Sequence, residues 1–178
     1  MRTVVVTDPP RADVGDAEKL GEYGVATVHE ALGRVGYLGP DLRPAWPGAR
    51  TGGTAVTVLC WPGDNLMIHV AVEQCRPGDV LVVATNSPST DGLFGELFAT
   101  ALQRRGVRGA VLGCGVRDVA DLREMRFPVW SHGLPAQHDG DVHRSRGRLH
   151  RALGADRPRP HREPHLAQVR DVAHPAAK

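Results

Sequence analysis

At 178 residues, 41% of them hydrophobic, the chain is sized for one domain that buries a core without disulfide or metal staples, which leaves little room for a second domain. A formal net charge of +2 provides no overall electrostatic footprint for nucleic acid or an anionic membrane. Cys60, Cys75 and Cys114 form no C-x-x-C pair and sit in apolar segments, so they read as reduced thiols of a cytoplasmic protein, and no stretch approaches the roughly 20 apolar residues of a membrane helix.

Residues 1–7 carry the β-branched run Val4, Val5 and Val6, closed by Asp8, Pro9 and Pro10, which predicts a short strand or an extended arm. From Asp16 the pattern turns helical. Residues 17–23 suit one short helix and residues 25–35 a second, with Val25, Val28, Leu32 and Val35 at helical spacing before Gly36, Gly39 and Pro40. His29 and Glu30 read as its polar face rather than as a catalytic pair. Residues 41–53, rich in Pro and Gly, read as a loop, and residues 54–60 alternate as a strand does.

Asp64 then stands as N-cap to a helix over residues 65–74 that is apolar almost all round and is therefore expected to be buried, with His69 a core histidine rather than a ligand or general base. A turn at Arg76, Pro77, Gly78 and Asp79 leads into residues 80–85, a continuous apolar strand of the kind covered on both faces. After a loop over residues 86–91, residues 92–105 predict a helix with Phe94, Leu97, Phe98 and Ala101 on one face and Gly106 as its stop. Glu96 in its first turn is a helix-end stabiliser or a partner for water on a metal.

Residues 110–112 predict a short strand and Gly113, Cys114 and Gly115 a turn, whose Gly-x-Gly lacks the third glycine of a dinucleotide fingerprint. Arg117 and Asp118 follow, readable as an exposed cation and the N-cap of a helix reaching about Met125, or as ligand-binding groups at a strand-to-helix edge. Residues 127–131 form another expected strand. From His138 onward no aromatic or Ile occurs and six of nine histidines fall among many Arg and Pro, so residues 138–178 cannot bury a core of their own and are expected to be disordered or loosely helical.

Only two lysines exist, Lys19 and Lys178, one ahead of the main helices and one at the last position. Schiff-base chemistry needs a Lys in a dry pocket, so carbanion or enolate chemistry here calls for a metal as Lewis acid.

The stretches GDNLMIHVAVEQCRPGDVLVV, STDGLFGELFATALQRRGVRGAV and GVRDVADLREMRFPVWS closely resemble the 4-hydroxy-4-methyl-2-oxoglutarate and 4-carboxy-4-hydroxy-2-oxoadipate aldolases, within the wider group that includes bacterial regulators of ribonuclease activity. The resemblance spans about residues 14–137. It implies an α/β fold, an αββα sandwich with a swivelling β/β/α-like core. It further implies trimers or hexamers with sites between subunits, and a class II pyruvate aldolase dependent on Mg2+ or Mn2+ that acts on small 2-oxo acids, with oxaloacetate decarboxylation by the same enolate. Carried over by position, Asp118 looks like the metal ligand and Arg117 the holder of the pyruvyl oxygens. Gly95, Glu96, Leu97 and Phe98 match the helix start that receives the substrate carboxylate, with Glu96 near a water on the metal. A non-catalytic binding protein, like the ribonuclease regulators, is the alternative; the acid at position 118 favours the enzyme.

The departure lies at the end. In the aldolases the chain continues past the PVWS strand through further strands and supplies an acidic residue to the neighbouring subunit's site. Here an incomplete domain over residues 1–137 is followed by the Arg-, His- and Pro-rich tail over residues 138–178, read as the product of a frameshift near Gln137 that leaves a sheet edge open. That expectation fails if no other frame of the gene encodes the missing strands.

Overall fold

A computed structural model of the protein describes residues 4–133, so the tail over residues 138–178 lies outside the described residues. The elements are α1 (Val14–Glu22), α2 (Val25–Ala31), β1 (Arg43–Pro44), β2 (Thr54–Cys60), α3 (Leu66–Gln74), β3 (Asp79–Thr85), β4 (Gly92–Phe94), α4 (Glu96–Arg104), β5 (Ala110–Val116), α5 (Val119–Glu124) and β6 (Val129–Gly133). They build one mixed sheet in the order β1-β6-β5-β3-β2, with β4 added beside β5. The β2, β3, β5 and β6 ladders are parallel and β1 runs antiparallel to β6. Parallel neighbours need crossovers, and the helices α3, α4 and α5 supply them.

All seven residues of β3 are buried. Period-two alternation sends Leu81 and Val83 into the main core with Ile68, Phe98, Leu102 and Leu122 of the crossover helices. It sends Val80, Val82 and Ala84 to a smaller cluster with Leu38, Ala55, Leu59 and Val111. The expected strand covered on both faces is thus observed. Leu81, Leu102, Leu112 and Leu122 are fully buried, each stabilising the fold by about 1.5–3 kcal/mol.

Several expected elements differ. Of the strand or extended arm expected for Val4, Val5 and Val6, no strand forms. The second helix ends at Ala31 because Gly33 and Arg34 take left-handed backbone (φ 69° and 64°), and Val25, Leu32 and Val35, expected as its core stripe, are exposed. Burial of α3 is one-sided, through Ile68, Ala71 and Val72. His69 is exposed with its ring 4.5 Å from that of Phe98, so it is not the core histidine expected. Asp64 does cap that helix, accepting from the Leu66 N–H at 2.8 Å. At β6 the sheet continues into the two-residue strand β1, through Arg43↔Ser131 and Pro44↔Trp130. Trp46 Nε1 adds a hydrogen bond to the Phe127 carbonyl at 3.0 Å.

The two largest differences bear on the site. Residues 92–95 are not helical, because glycine is a poor helix former and the free end of β5 offers a pairing edge, with Gly92↔Gly115 and Phe94↔Val116. Gly113, Cys114 and Gly115 make no turn; β5 continues through them, with a shift of register against β6 between Leu112 and Gly115. A Cβ on Gly115 would collide with the Thr90 carbonyl oxygen, so this glycine serves close backbone approach rather than phosphate binding.

Candidate functional site

The site forms where β4 lies along the carboxyl end of β5. Gly115 N–H donates to the Asp91 carbonyl at 3.0 Å and Arg117 N–H to the Phe94 carbonyl at 2.8 Å, which ties the loop over residues 89–95 to the strand's exit. Carboxyl ends of parallel strands are where ligands collect in open α/β sheets.

Asp118 occupies the N-cap position of α5 in left-handed backbone (φ 56°, ψ 39°), a conformation Asp tolerates better than most residues. It makes no cap bond to α5, which corrects the simple N-cap reading. Instead its Oδ2 crosses to α4 and accepts from the Glu96 backbone N–H at 3.0 Å. The carboxylate therefore sits at the positive end of α4, an arrangement worth about 0.3–1 kcal/mol at the surface. Two glycines make room for the Arg117 and Asp118 side chains. A Cβ on Gly95 would occupy the position of the Asp118 carboxylate, and one on Gly92 would overlap the Arg117 side chain.

Both Arg117 and Asp118 are exposed. Glu96, half-buried as the first residue of α4, accepts from Thr100 Oγ1 at 2.6 Å, so its carboxylate is held along its own helix. The structure thus brings Gly95, Glu96, Arg117 and Asp118 together. Phe98 joins them by its backbone only, since its ring packs 5.7 Å from that of Phe94 in the core. Leu97 is 82% exposed. The first intrahelical acceptor of α4 serves Ala99, from Gly95 at 3.1 Å, so the Leu97 and Phe98 N–H groups lack one.

Three residues at the same edge carried no legible signal. Ser89 Oγ bonds the Asp91 carboxylate at 2.6 Å, within the loop leading to β4. Asn86, just after β3, buries its Oδ1 without a hydrogen-bond partner among the described residues, unusual for a buried polar atom. A loop position at the carboxyl end of the buried strand β3 was the only sequence hint for them.

Among the described residues no three of His, Cys, Asp and Glu converge, so the donor set does not suit zinc. Asp118 keeps Oδ1 without a hydrogen-bond partner among the described residues, and one such carboxylate fits a hard cation that retains most of its waters.

Thiol chemistry does not fit. Burial, then the nearby Cys114 and Asp64, pushes the Cys60 thiol up to about 12 from 9.0, and burial followed by Asp79 raises Cys75 to about 12 as well. A raised folded pKa contributes stability that is present below pH 9.0 and lost as pH climbs towards 12. We expect a thiol reagent at pH 8 to label Cys60 and Cys75 only as fast as the structure opens, and rapidly in urea. Prompt stoichiometric labelling of the native chain would contradict this.

A family model described as RraA-like, Aldolase/RraA, matches residues 12–153, past Gln137 into the segment read as a tail. A protein of Burkholderia multivorans is 35% identical over 99 residues, covering 56% of this chain and 60% of that protein. One of Halalkalibacterium halodurans is 26% identical over 106 residues, covering 60% and 50%. Both bear the name "Putative 4-hydroxy-4-methyl-2-oxoglutarate aldolase". The matched part of this chain thus spans half to three-fifths of those relatives' length. Among solved structures, RraAS2 of Streptomyces coelicolor, described as an unusual member of the RNase ES inhibitor RraA family, superposes with a TM-score of 0.61 at 26% identity over 74% of this chain and 69% of that one. The RNA-processing inhibitor RraA of Thermus thermophilis has the same fold, with a TM-score of 0.55 at 22% identity over 62% and 67%.

Proposed function

Because the chain belongs to the RraA-like family, we propose that it is a divalent-metal-dependent carbon–carbon lyase. Its substrate would be 4-hydroxy-4-methyl-2-oxoglutarate or 4-carboxy-4-hydroxy-2-oxoadipate, cleaved to pyruvate and a second 2-oxo acid. The observation that carries this reading is the Asp118 carboxylate, anchored on the Glu96 N–H beside Arg117 with one oxygen left over.

Asp118 Oδ1 would hold Mg2+ or Mn2+, which would supply Lewis acidity to the 2-oxo group of the substrate. Arg117 offers a planar fork for the pyruvyl oxygens and stabilises the enolate as the C–C bond breaks. The Leu97 and Phe98 N–H groups at the start of α4 suit the substrate carboxylate. Glu96, held by Thr100, is the ionisable group beside them and positions the water that moves the proton. Decarboxylation of oxaloacetate passes through the same enolate. Lys19, the one lysine among the described residues, is exposed on α1 and pairs with Asp16 at 3.6 Å, which does not suit Schiff-base chemistry.

Assembly as a homotrimer or homohexamer belongs to the same proposal. Val25, Leu32, Val35, Leu66 and Leu97 are exposed on the single chain and are available to a subunit contact.

A second reading, a non-catalytic binding protein, draws on the likeness to RraAS2 and on the exposed Leu97 beside the site. A coupled pyruvate assay separates the two. Pyruvate release should require Mg2+, vanish with EDTA and return with excess Mg2+ or Mn2+; a folded oligomer that releases none under any of these conditions favours the binding protein.

A further inference from the structure

Asp118 sits at the carboxyl ends of the strands; at their opposite ends lies a cavity of about 450 Å3. The three loops entering β2, β5 and β6 each line it with one arginine, Arg50, Arg108 and Arg126. The seven residues of β5, at roughly 3.3 Å each, put on the order of 20 Å between the two places.

Arg108 is fixed in this cavity. It pairs with Glu18 of α1, reaches the Gly52 carbonyl at 3.4 Å, and its own carbonyl accepts from Thr51 Oγ1 at 3.0 Å. The Arg50 and Arg126 side chains make no hydrogen bond or ion pair with any described residue. Three cations thus face a single carboxylate, Glu18, around a space open to a ligand.

The backbone of Arg126 is the second, independent observation. Helices α4 and α5 end in the same two-bond motif. In α4 the Gly106 N–H bonds the Gln103 carbonyl at 3.0 Å and the Val107 N–H bonds that of Leu102 at 3.0 Å. In α5 the Arg126 N–H bonds the Arg123 carbonyl at 3.1 Å and the Phe127 N–H bonds that of Leu122 at 3.0 Å. The residue at the turn is left-handed in both, Gly106 at φ 74° and Arg126 at φ 53°. Glycine adopts this conformation freely and arginine does not. Arg126 therefore holds a position where the fold alone favours glycine. Compensating the α5 dipole does not account for it, because Arg123 already lies in the last turn. The partial charges at the ends of α4 and α5 oppose an anion here, but they are about half a charge each and fade within a turn, against two unpaired guanidinium groups.

We propose that this cavity binds a small polyanion carrying two or more carboxylate or phosphate groups, at a site separate from Asp118. Guanidinium forks match both groups bidentately, and a molecule the size of citrate or pyrophosphate spans arginines on different loops.

Calorimetric titration of the full chain with citrate and with pyrophosphate, at constant ionic strength and without divalent cation, tests this independently of any reaction. Saturable binding of one anion per chain is expected, with the tighter of the two identifying the carboxylate or phosphate source. Arg126→Gly should weaken it roughly tenfold or more, the loss of one charged hydrogen-bonding group, while leaving the thermal midpoint of the unliganded chain unchanged or raised. Asp118→Asn should bind as the wild type does. Absence of saturable binding by either anion, equal affinity in Arg126→Gly, or loss of binding in Asp118→Asn overturns the proposal.

Discussion

Replacing Asp118 by Asn is expected to lower the rate of Mg2+-dependent pyruvate release about a hundred- to a thousandfold while leaving the fold intact, because an amide loses the charge that holds a divalent cation worth several kcal/mol to the enolate. Asn is the informative choice. Its side-chain oxygen can still accept from the Glu96 N–H, as Asp118 Oδ2 does at 3.0 Å, and Asn tolerates the left-handed backbone at φ 56°. Asp118→Ala mixes two effects, since it also removes the acceptor at the start of α4 at a cost of about 1 kcal/mol. Thermal melting beside the pyruvate assay separates them. Wild-type turnover in a well-folded Asp118→Asn would remove this residue from metal binding and with it the main support for a lyase.

The largest stability effect is expected far from that site. Arg11, in the segment preceding α1, reaches Asp79 at the start of β3: Nε lies 3.0 Å from Oδ1 and Nη2 lies 3.0 Å from Oδ2. Nη2 also donates to the Gln74 carbonyl at 2.7 Å, and the Arg76 N–H donates to Asp79 Oδ2 at 2.7 Å. The Asp79 side chain is 1% exposed and that of Arg11 14%. Such a pair adds little over an apolar replacement of both, but removing one partner leaves a buried charge without its counterion. Arg11→Ala should therefore destabilise the chain by about 3–5 kcal/mol, a drop of roughly 10–20 °C in Tm for a domain of this size. The double variant Arg11→Met with Asp79→Asn should recover much of the loss, since the amide still accepts from Arg76 and no charge is stranded. Urea denaturation of the wild type and both variants decides it, and a loss within about 1 kcal/mol for Arg11→Ala would show that Asp79 is solvated or otherwise compensated.

Neither pairing is visible along the chain. Sixty-eight residues separate Arg11 from Asp79, and periodicity carries no information about such a partner. The GELF and VRD stretches were legible as a site because chemistry-bearing residue types cluster there, yet each residue alone read more simply as a structural one. What joined them was the pairing of β4 with the end of β5, and that depended on Gly92, Gly95 and Gly115, whose missing side chains admit Arg117, Asp118 and the Thr90 carbonyl. A pattern-based reading sees those glycines as turns and helix starts, because their role is defined by what comes close to them in space.

The exposed face of α2 teaches a related lesson. Val25, Leu32 and Val35 have helical spacing, and spacing identifies an apolar stripe without saying what it packs against; Gly33 and Arg34 end the helix before the last of them joins it. By contrast the strand Thr54–Cys60 and the helix that follows it were legible almost to the residue, as was the buried β3. Alternation and unbroken apolar runs are local properties that backbone geometry converts directly into structure. The sequence by itself therefore determined the alternation of strands and helices, the strand buried on both faces, the count of two lysines and the identity of Arg117 and Asp118 as candidates. Only the tertiary structure decided that the Asp118 carboxylate caps α4 rather than α5, that Arg11 neutralises Asp79, and that Arg50, Arg108 and Arg126 share one cavity. Each of these is a contact between segments brought together by the sheet, and such contacts depend on register and close approach, which no local pattern encodes.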